Sequence, residues 1–519
     1  MALSSATRTD SDGPSSRTSV ASTGIPGLDS IIGGGFPRDH LYLIDGDPGT
    51  GKTTLALQFL LAGRDAGERG LYVTLSETTD ELRSTAASHD WTLDDVDIFE
   101  LSPAKEDTDE VYTLFHPAEI ELQQTVETVL DAVARHRPVR LVFDSLSEMR
   151  LLARDPLRFR RQILALKQFF VGRQCTVLLL DDRSGPAAER DHQPHSIAHG
   201  VIILEQIALD YGAERRRLQV GKLRGVAFHG GYHDFRIKKG GLSVYPRLLH
   251  TSIPVVEREA TSLSSGSPEL DSLLGGGLTK GTSMLIAGAA GTGKSTLCLQ
   301  YAREVTRSGK RALYYLFDER VHTVRIRIEG LGLDMGRVIE EGRLRLRQVE
   351  PTEMSPGELA LEVMTAVRED DVTLVMFDSV NGFLQAMPSE RLLSMQIHEL
   401  LSALANAGAT TIMTLVQRGG FGAPIDEAAE VSYLADTVLL LRYFEHAGTV
   451  RQAISVVKKR SGMHERTIRE CLVEAGGFHV GEPLRDFRGV LTGLPEYFGP
   501  GAPLMTQRDG GAREDGGGQ

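Results

Sequence analysis

Two nonapeptides carry the most legible chemistry in the chain. Gly46-Asp47-Pro48-Gly49-Thr50-Gly51-Lys52-Thr53-Thr54 and Gly288-Ala289-Ala290-Gly291-Thr292-Gly293-Lys294-Ser295-Thr296 both fit G-x-x-x-x-G-K-[ST], and their lysines stand 242 residues apart. Each position in that pattern has a physical reason. Gly49 and Gly51, like Gly291 and Gly293, let backbone N–H groups turn inward around phosphates. Lys52 and Lys294 reach the β- and γ-phosphates, and the hydroxyls of Thr53 and Ser295 are placed to ligate Mg²⁺. Thr50, Thr54, Thr292 and Thr296 complete the two cradles, and the helix that follows aims its positive end at the same anion. A single match also reads as a glycine-rich turn before an ordinary helix. Two matches, each between an apolar strand and a helix, point to a nucleotide such as ATP with Mg²⁺.

A magnesium shell needs a carboxylate, and hydrolysis needs a group that manages water. Asp144 and Asp378 close the apolar runs VRLVFD and TLVMFD, and each precedes a serine, Ser145 or Ser379. They are the candidate metal-shell aspartates, although an aspartate in that place also serves as a turn former. Glu77 and Glu319 follow GLYVTLS and ALYYLFD in matching register and are the candidate catalytic carboxylates, with solvated loop glutamates as the bland alternative. The two halves diverge one residue earlier, where Ser76 faces Asp318. A pair such as Asp318-Glu319 divides labour: one group manages water while the other accepts a proton from a hydroxyl substrate. The second half is therefore the better candidate for phosphoryl transfer to something other than water.

The elements that must hold these residues occur twice. TGIPGLDSIIGGGFPRDHLYLIDGDPGTGKTTLALQF begins at Thr23, and SGSPELDSLLGGGLTKGTSMLIAGAAGTGKSTLCLQY begins at Ser265 in the same register. RLVFDSLS (140–147) answers TLVMFDSV (373–380), and VGKLRG (220–225) answers VKKRSG (457–462), so order is kept while spacing drifts by a few residues. Such self-similarity is internal duplication. Each half alternates short β-branched runs with helical stretches, the pattern of an α/β unit with a mainly parallel sheet. LQVGKLRG and HDFRIKKGGLSVYP read as strands and turns added along one edge. The expected domains are 20–250 and 251–497, joined near 249–266, with a disordered serine-rich segment at 1–19 and a disordered glycine-rich one at 498–519.

Composition narrows the setting. The 519 residues suffice for two cores of roughly 240 residues each. The 57 basic against 70 acidic residues give a formal charge of −13, which argues against a surface built to collect nucleic-acid backbone. Cys175, Cys298 and Cys471 are far apart and form no C-x-x-C pair, so a reducing cytoplasm is the expected home. The first twenty residues lack the apolar centre of a signal peptide, and no apolar run approaches the ~20 residues a membrane helix needs.

The duplicated LDS…GGG…GTGK[ST] units, the post-strand glutamates, the FDS strands and the K-x-R edge strands resemble KaiC, the double-domain ATPase of the RecA superfamily found in circadian systems. The resemblance spans roughly residues 20–495 and implies two tandem RecA-like domains. It also implies hexameric double rings with ATP between neighbouring subunits. It places Lys222, Leu223 and Arg224 of the first half, and Lys458, Arg460, His464 and Arg466 of the second, against a neighbour's nucleotide. Basic groups there would neutralise charge that develops during transfer; a solvated basic edge strand is the plainer alternative. In KaiC the second ring phosphorylates its own adjacent serine and threonine. The corresponding stretch here is Glu430-Val431-Ser432-Tyr433-Leu434, which keeps a serine at Ser432 and replaces the threonine by Tyr433. Asp318 also stands where the family has the first of two glutamates. A serine-only autokinase, in circadian-type or stress signalling with regulatory signalling partners, is the expectation.

Other groupings are weaker. His192, His195 and His199 fall close together, but proline interrupts them and no fourth ligand type is evident, so a loop is the simpler reading. RFRR (158–161) and RRR (215–217) are scattered in an acidic chain and read as solvated helix and strand positions. Two rival functions share the motifs: a RecA/RadA-type DNA-dependent ATPase, and a scaffold that uses ATP only to assemble. The segment 418–432, where DNA-binding loops would lie, is acidic on balance, which weakens the first.

Overall fold

The structure is a computed structural model and describes residues 19–101, 117–153, 155–183, 193–208, 212–248, 261–385, 393–417, 433–490 and 496–499. The chain divides into two compact units, one running to Leu248 and taking in Thr352–Leu361, the other holding Leu249–Pro351 and the chain from Glu362. Ser432, His192, the segment 418–432 and both expected tails, apart from Ser19, Phe498 and Gly499 at their inner ends, lie outside the described residues.

Each unit is built on a nine-stranded sheet. The first runs, edge to edge, Gly241–Tyr245, Tyr232–Lys238, Arg215–Leu223, Gly200–Ile207, Leu41–Gly46, Thr176–Asp182, Arg140–Asp144, Gly70–Thr74 and Asp97–Glu100. The second has the same order, from Gly477–Pro483 through Arg469–Glu474, Thr449–Lys459, Thr437–His446, Ser283–Gly288, Thr410–Val416, Val372–Asp378 and Arg311–Leu316 to Leu344–Gln348. From Gly200–Ile207 to Asp97–Glu100, and from Thr437–His446 to Leu344–Gln348, all neighbours pair parallel; the remaining pairs are antiparallel. The mixed sheet expected from the sequence is thus present in both units, with the glycine-loop strands near its centre.

The central strands are apolar on both sides because both faces are covered. Tyr42 and Ile44 join the core that includes Leu55, Phe59 and Leu60, while Leu41 and Leu43 join the opposite core with Phe143, Phe159 and Leu179. The helix Lys52–Asp65 is buried almost all round, more than the single apolar face its sequence suggests, because the edge hairpin packs over its outer side. Gln58 holds that hairpin: its side-chain oxygen accepts the Leu242 N–H at 2.8 Å, as Gln300 accepts the Phe478 N–H at 2.9 Å. The repeated LDS signature has an equally local cause. Asp29 accepts Ser22 Oγ at 2.6 Å and the Thr23 N–H at 2.8 Å, and Asp271 accepts Ser264 Oγ and the Ser265 N–H at the same distances. The triple glycines follow because Gly33–Gly35 and Gly275–Gly277 all have positive φ, and a Cβ on Gly275 would lie 2.0 Å from the Met463 carbonyl.

One reading of the basic runs changes. Arg215 is buried, Arg216 pairs with Glu214 at 3.1 Å, and Arg217 pairs with Glu205 at 2.9 Å while lying over the Tyr232 ring. The run is therefore internal bracing and not a solvated strand. The strand Arg215–Leu223 has a neighbour on each side, and alternation along it points Arg215 to a buried side, which a run of three arginines does not show. Arg158, Arg160 and Arg161 remain exposed as expected.

The first unit also closes around a buried guanidinium. Arg140 is 1% exposed and donates to Glu68 Oε2 at 2.5 Å, the Ser22 carbonyl at 2.6 Å and the Phe59 carbonyl at 2.7 Å. Its partner Glu68 is shared with Arg38, which is more exposed. Removing a buried partner strands the groups it satisfied, whereas an outer pair contributes little. Arg140→Ala is expected to lower the unfolding free energy of the first unit by about 3 kcal/mol or more, and Arg38→Ala by about 1 kcal/mol. Denaturant unfolding checks this; equal, small losses from both would contradict the buried role.

Candidate functional site

The two glycine loops adopt one conformation. Gly49 and Gly51 have φ of 80° and 101°, and Gly291 and Gly293 have 81° and 93°. Thr50 Oγ1 donates to the Asp47 carbonyl at 2.8 Å and Thr292 Oγ1 to the Ala289 carbonyl at 2.9 Å, closing each loop. The helices Lys52–Asp65 and Lys294–Arg307 begin at Gly51 and Gly293 with no side-chain cap, whereas the helices at Thr79, Pro156 and Pro268 are capped by Thr78, Asp155 and Ser267. First-turn amides are thus left for an anion in both loops.

The lysines are buried, and their ammonium groups fold back on their own loops. Lys52 Nζ donates to the carbonyls of Gly46 (2.8 Å) and Asp47 (3.0 Å), and Lys294 Nζ to those of Gly288 (2.9 Å) and Ala289 (2.7 Å). Burial pushes Lys294 down to about 8, against the opposing pull of Asp378. Lys52 has a further partner that sequence comparison did not supply: Asp182 Oδ1 lies 2.6 Å from its Nζ.

The strand-closing aspartates stand beside the loops. Tyr72 OH donates to Asp144 Oδ2 at 2.5 Å, and Tyr314 OH to Asp378 Oδ2 at 2.6 Å; Thr414 Oγ1 also donates to Asp378. Thr53 lies within hydrogen-bonding reach of Tyr72, so its hydroxyl and the Asp144 carboxylate converge on one phenol. Burial raises Asp144 above the usual carboxylate range; Tyr72 and Lys52 oppose this, and the charges of Asp182 and Glu148 add to it. A desolvated carboxylate among other acids beside a hydroxyl is a hard-oxygen donor set, which fits Mg²⁺.

Backbone bonds place both candidate bases alike. Leu75 N donates to the Asp144 carbonyl at 2.7 Å, and Phe317 N to the Asp378 carbonyl at 2.8 Å, so Glu77 and Glu319 leave their strands at the same point. Their side chains then diverge. Glu77 Oε2 is buried without a hydrogen-bond partner, and burial, reinforced by the charges of Asp144, Glu81 and Asp182, pushes the carboxyl up to about 7. Glu319 is gripped by Arg327, whose two terminal nitrogens reach Oε2 at 2.9 Å and Oε1 at 2.6 Å. Asp318 accepts Ser379 Oγ at 2.5 Å. The adjacent carboxylates that seemed a free pair in sequence are each engaged, while the lone Glu77 is poised.

The basic edge residues hold their own unit. In each sheet a bulge precedes the lysine: Lys222 pairs with Val201 and Val220 with Ile202, skipping Gly221, while Lys458 pairs with Val438 and Val456 with Leu439, skipping Val457. Lys222 Nζ donates to the His195 carbonyl and Arg224 to the Ser196 carbonyl at 3.2 Å. Lys458 donates to the Ala435 carbonyl at 2.7 Å and Arg460 to the Tyr433 carbonyl at 2.9 Å. Leu223 points into the core, so only its backbone is presented. His464 is half-buried and Arg466 exposed on the loop after Lys459. The histidines do not converge: His195 Nε2 lies 2.8 Å from Asp45 Oδ2, and His199 Nε2 lies 2.9 Å from the Arg224 carbonyl. Among the described residues no three His, Cys, Asp or Glu side chains form a metal-binding group.

Comparison with known proteins meets this geometry. A family model for the KaiC ATPase matches residues 21–248 and again 263–485. The chain belongs to the KaiC ATPase family. A protein named circadian clock protein KaiC3, from Synechocystis sp., is 28% identical over 490 residues, covering 92% of this chain and 94% of its own. Circadian clock oscillator proteins KaiC from Picosynechococcus sp. and Thermostichus vulcanus are each 27% identical, with 91% of this chain and 91% of theirs covered. The two units are accordingly tandem KaiC/RecA-like domains, each with its own glycine loop. No helix among the described residues is long and apolar enough to cross a membrane.

The contrast between the glutamates has a measurable sign. A carboxyl whose folded pKa is raised makes folding progressively less favourable as pH climbs from its unfolded value toward about 7. Glu77→Gln is therefore expected to raise the thermal midpoint of the nucleotide-free protein, with a gain larger at pH 8 than at pH 5. Glu319→Gln breaks a bidentate pair and is expected to cost about 1 kcal/mol. Calorimetric scans at both pH values check the pair; a destabilised E77Q would show that Glu77 is satisfied in the fold.

Proposed function

We propose that this KaiC-family protein hydrolyses Mg-ATP in both halves through unequal sites, and that the second half also phosphorylates Ser432. The observation that carries the reading is Glu77, a half-buried carboxyl pushed up to about 7 with a buried, unpartnered oxygen, on the segment bonded to the Asp144 strand. A base of that pKa withdraws a proton from water at physiological pH. In the first half, water attacks the γ-phosphorus, Glu77 takes its proton, and the bond to the bridging oxygen breaks so that ADP leaves. Lys52 offsets charge on the phosphates. Thr53 and Asp144 would hold Mg²⁺, which supplies charge neutralisation between the phosphates; Ser295 and Asp378 would do so in the second half.

The second half is read as slower in hydrolysis, because Glu319 must leave Arg327 before it can take a proton. When it does, Asp318 and Glu319 offer two acceptors, and the attacking oxygen is the Ser432 hydroxyl; its proton passes to a carboxylate as ADP departs. The chain is further read as a homohexamer in which Lys222, Arg224, Lys458, Arg460, His464 and Arg466 leave their local carbonyls to meet a neighbour's ATP. The relatives' names supply a circadian clock as the setting proposed here. The low basic charge of the chain favours this over a DNA-dependent ATPase.

Phosphate release measured with ATP and Mg²⁺ tests the assignment. E77Q is expected to remove most turnover, by about 100-fold in the first half, while E319Q removes a minor share. Phosphopeptide mapping of the same reactions should find label on Ser432 that disappears with Lys294→Ala and persists with Lys52→Ala. Turnover unchanged in both glutamine variants would sink the choice of bases, and a map without Ser432 would remove the kinase.

A further inference from the structure

Three consecutive carbonyls of the first unit carry its basic edge. Along the short helix Gln193–Ile197, Lys222 Nζ donates to the His195 carbonyl, Arg224 to that of Ser196 at 3.2 Å, and Lys167 to that of Ile197 at 2.9 Å. Burial, with the charges of Arg224 and Lys167, holds Lys222 below the ordinary lysine range. A side chain of the same turn ties it to the sheet. His195 Nε2 lies 2.8 Å from Asp45 Oδ2, and Asp45 is the residue before Gly46, where the first phosphate loop begins. Burial pushes the Asp45 carboxyl up, but the bond from His195 and the charge of Arg183, 3.1 Å away, outweigh this and hold it below the usual carboxylate range.

The second unit anchors its corresponding turn elsewhere. Lys458 and Arg460 rest there on the Ala435 and Tyr433 carbonyls, and Asp436 Oδ2 accepts the Ser283 N–H at 3.0 Å and Ser283 Oγ at 2.9 Å. Ser283 opens the strand that Gly288 closes. Ala287 stands where the first unit has Asp45, and His199 stands where the second has Asp436, since His199 N bonds Leu41 as Asp436 N bonds Ser283. The tie at the loop end of the glycine-loop strand is therefore a feature of the first unit, among the described residues.

We propose that His195 is a positioning residue for Lys222 and Arg224: by bonding Asp45 it fixes the turn from which both cations set out, and so where they meet a neighbour's ATP. The inference rests on the reading that these cations serve the adjacent subunit's nucleotide. His195 touches no reacting atom. A cation that meets developing charge is worth most when its approach is set in advance. Lysine has a flexible stem, so that advantage comes from what holds its base and limits the positions it samples. Because Asp45 adjoins the phosphate loop, one strand supports both the cradle a subunit keeps and the cations it lends.

Phosphate release by the full chain tests this, with the second loop disabled by Lys294→Ala in every variant. His195→Ala leaves Asp45 paired with Arg183 and is expected to lower kcat about tenfold with little change in KM. His195→Gln offers an amide N–H to Asp45 in place of the imidazole and should recover most of the loss. Mixed rings separate positioning from folding. H195A chains keep an intact loop and E77Q chains keep intact cations, so an equimolar mixture assembles some complete sites. With random assortment around a ring, it is expected to turn over about fivefold faster than the mean of the two variants alone. A mixture of K222A with E77Q chains should rise in the same way. Unchanged kcat in H195A overturns the proposal. So does a loss that neither H195Q nor the mixture relieves, which would make His195 structural to its own unit alone. If the K222A mixture also fails to rise, the reading of these cations as a neighbour's is what fails, and the proposal falls with it.

Discussion

The constraint that organises both units is a buried ammonium. Lys52 and Lys294 are 8% and 5% exposed, and a charge so placed must be met by carbonyls, carboxylates or a ligand. The loop carbonyls of Gly46, Asp47, Gly288 and Ala289 do part of this, and they can do so only because positive-φ glycines turn the backbone around the lysine. Strand order then brings Asp144 and Asp378 alongside, two strands from the glycine loop in each sheet. Burial near the first site also raises Asp144 and Glu77 above the usual carboxylate range. Affinity for phosphate and reactivity toward water thus share one origin, which is the exclusion of solvent from the carboxyl end of the sheet.

On this common frame the two units have drifted through side chains that leave the backbone alone. Leu75 and Phe317 make the same bond to the aspartate strands, and the bulges before Lys222 and Lys458 match to the residue. Differences appear one shell out, where Thr74, which anchors the Glu77 backbone, faces Leu316, and Ser147 faces Asn381. Such substitutions cost the sheet little, since each keeps a hydrogen bond or an apolar contact. They change what the ionisable groups touch.

This explains which features could be read in advance. The glycine loops, the strand-closing aspartates and the parallel sheet with its antiparallel edge follow from local pattern, because spacing and strand alternation determine them within a few residues. The register of Glu77 and Glu319 was legible from the duplication. Their opposite environments were not, because Arg327 lies on the next helix and its reach to Glu319 depends on a helical turn, not on sequence distance. Asp182 was missed because comparison of the repeats by motif passes from FDS straight to the K-x-R strands, and only strand register, which pairs Asp182 with Gly46 and Val416 with Gly288, shows that the two are equivalents. The paired Asp318-Glu319 looked freer than it is, since sequence shows a carboxylate but not its partner. Arg215 was misjudged for a related reason: its burial depends on what packs over each face of a strand that has neighbours on both sides, and a run of arginines does not show that.

Arg327 occupies the place where the first half has Thr85, eight residues beyond the respective glutamate. A duplicated gene could therefore have given its two glutamates different surroundings through one codon. The change leaves the glycine loops and the sheets untouched and alters only what the second glutamate touches. For a molecule whose halves share a chain and hence always occur in equal number, a side-chain latch of this kind is a dial by which one could be set against the other without altering dosage.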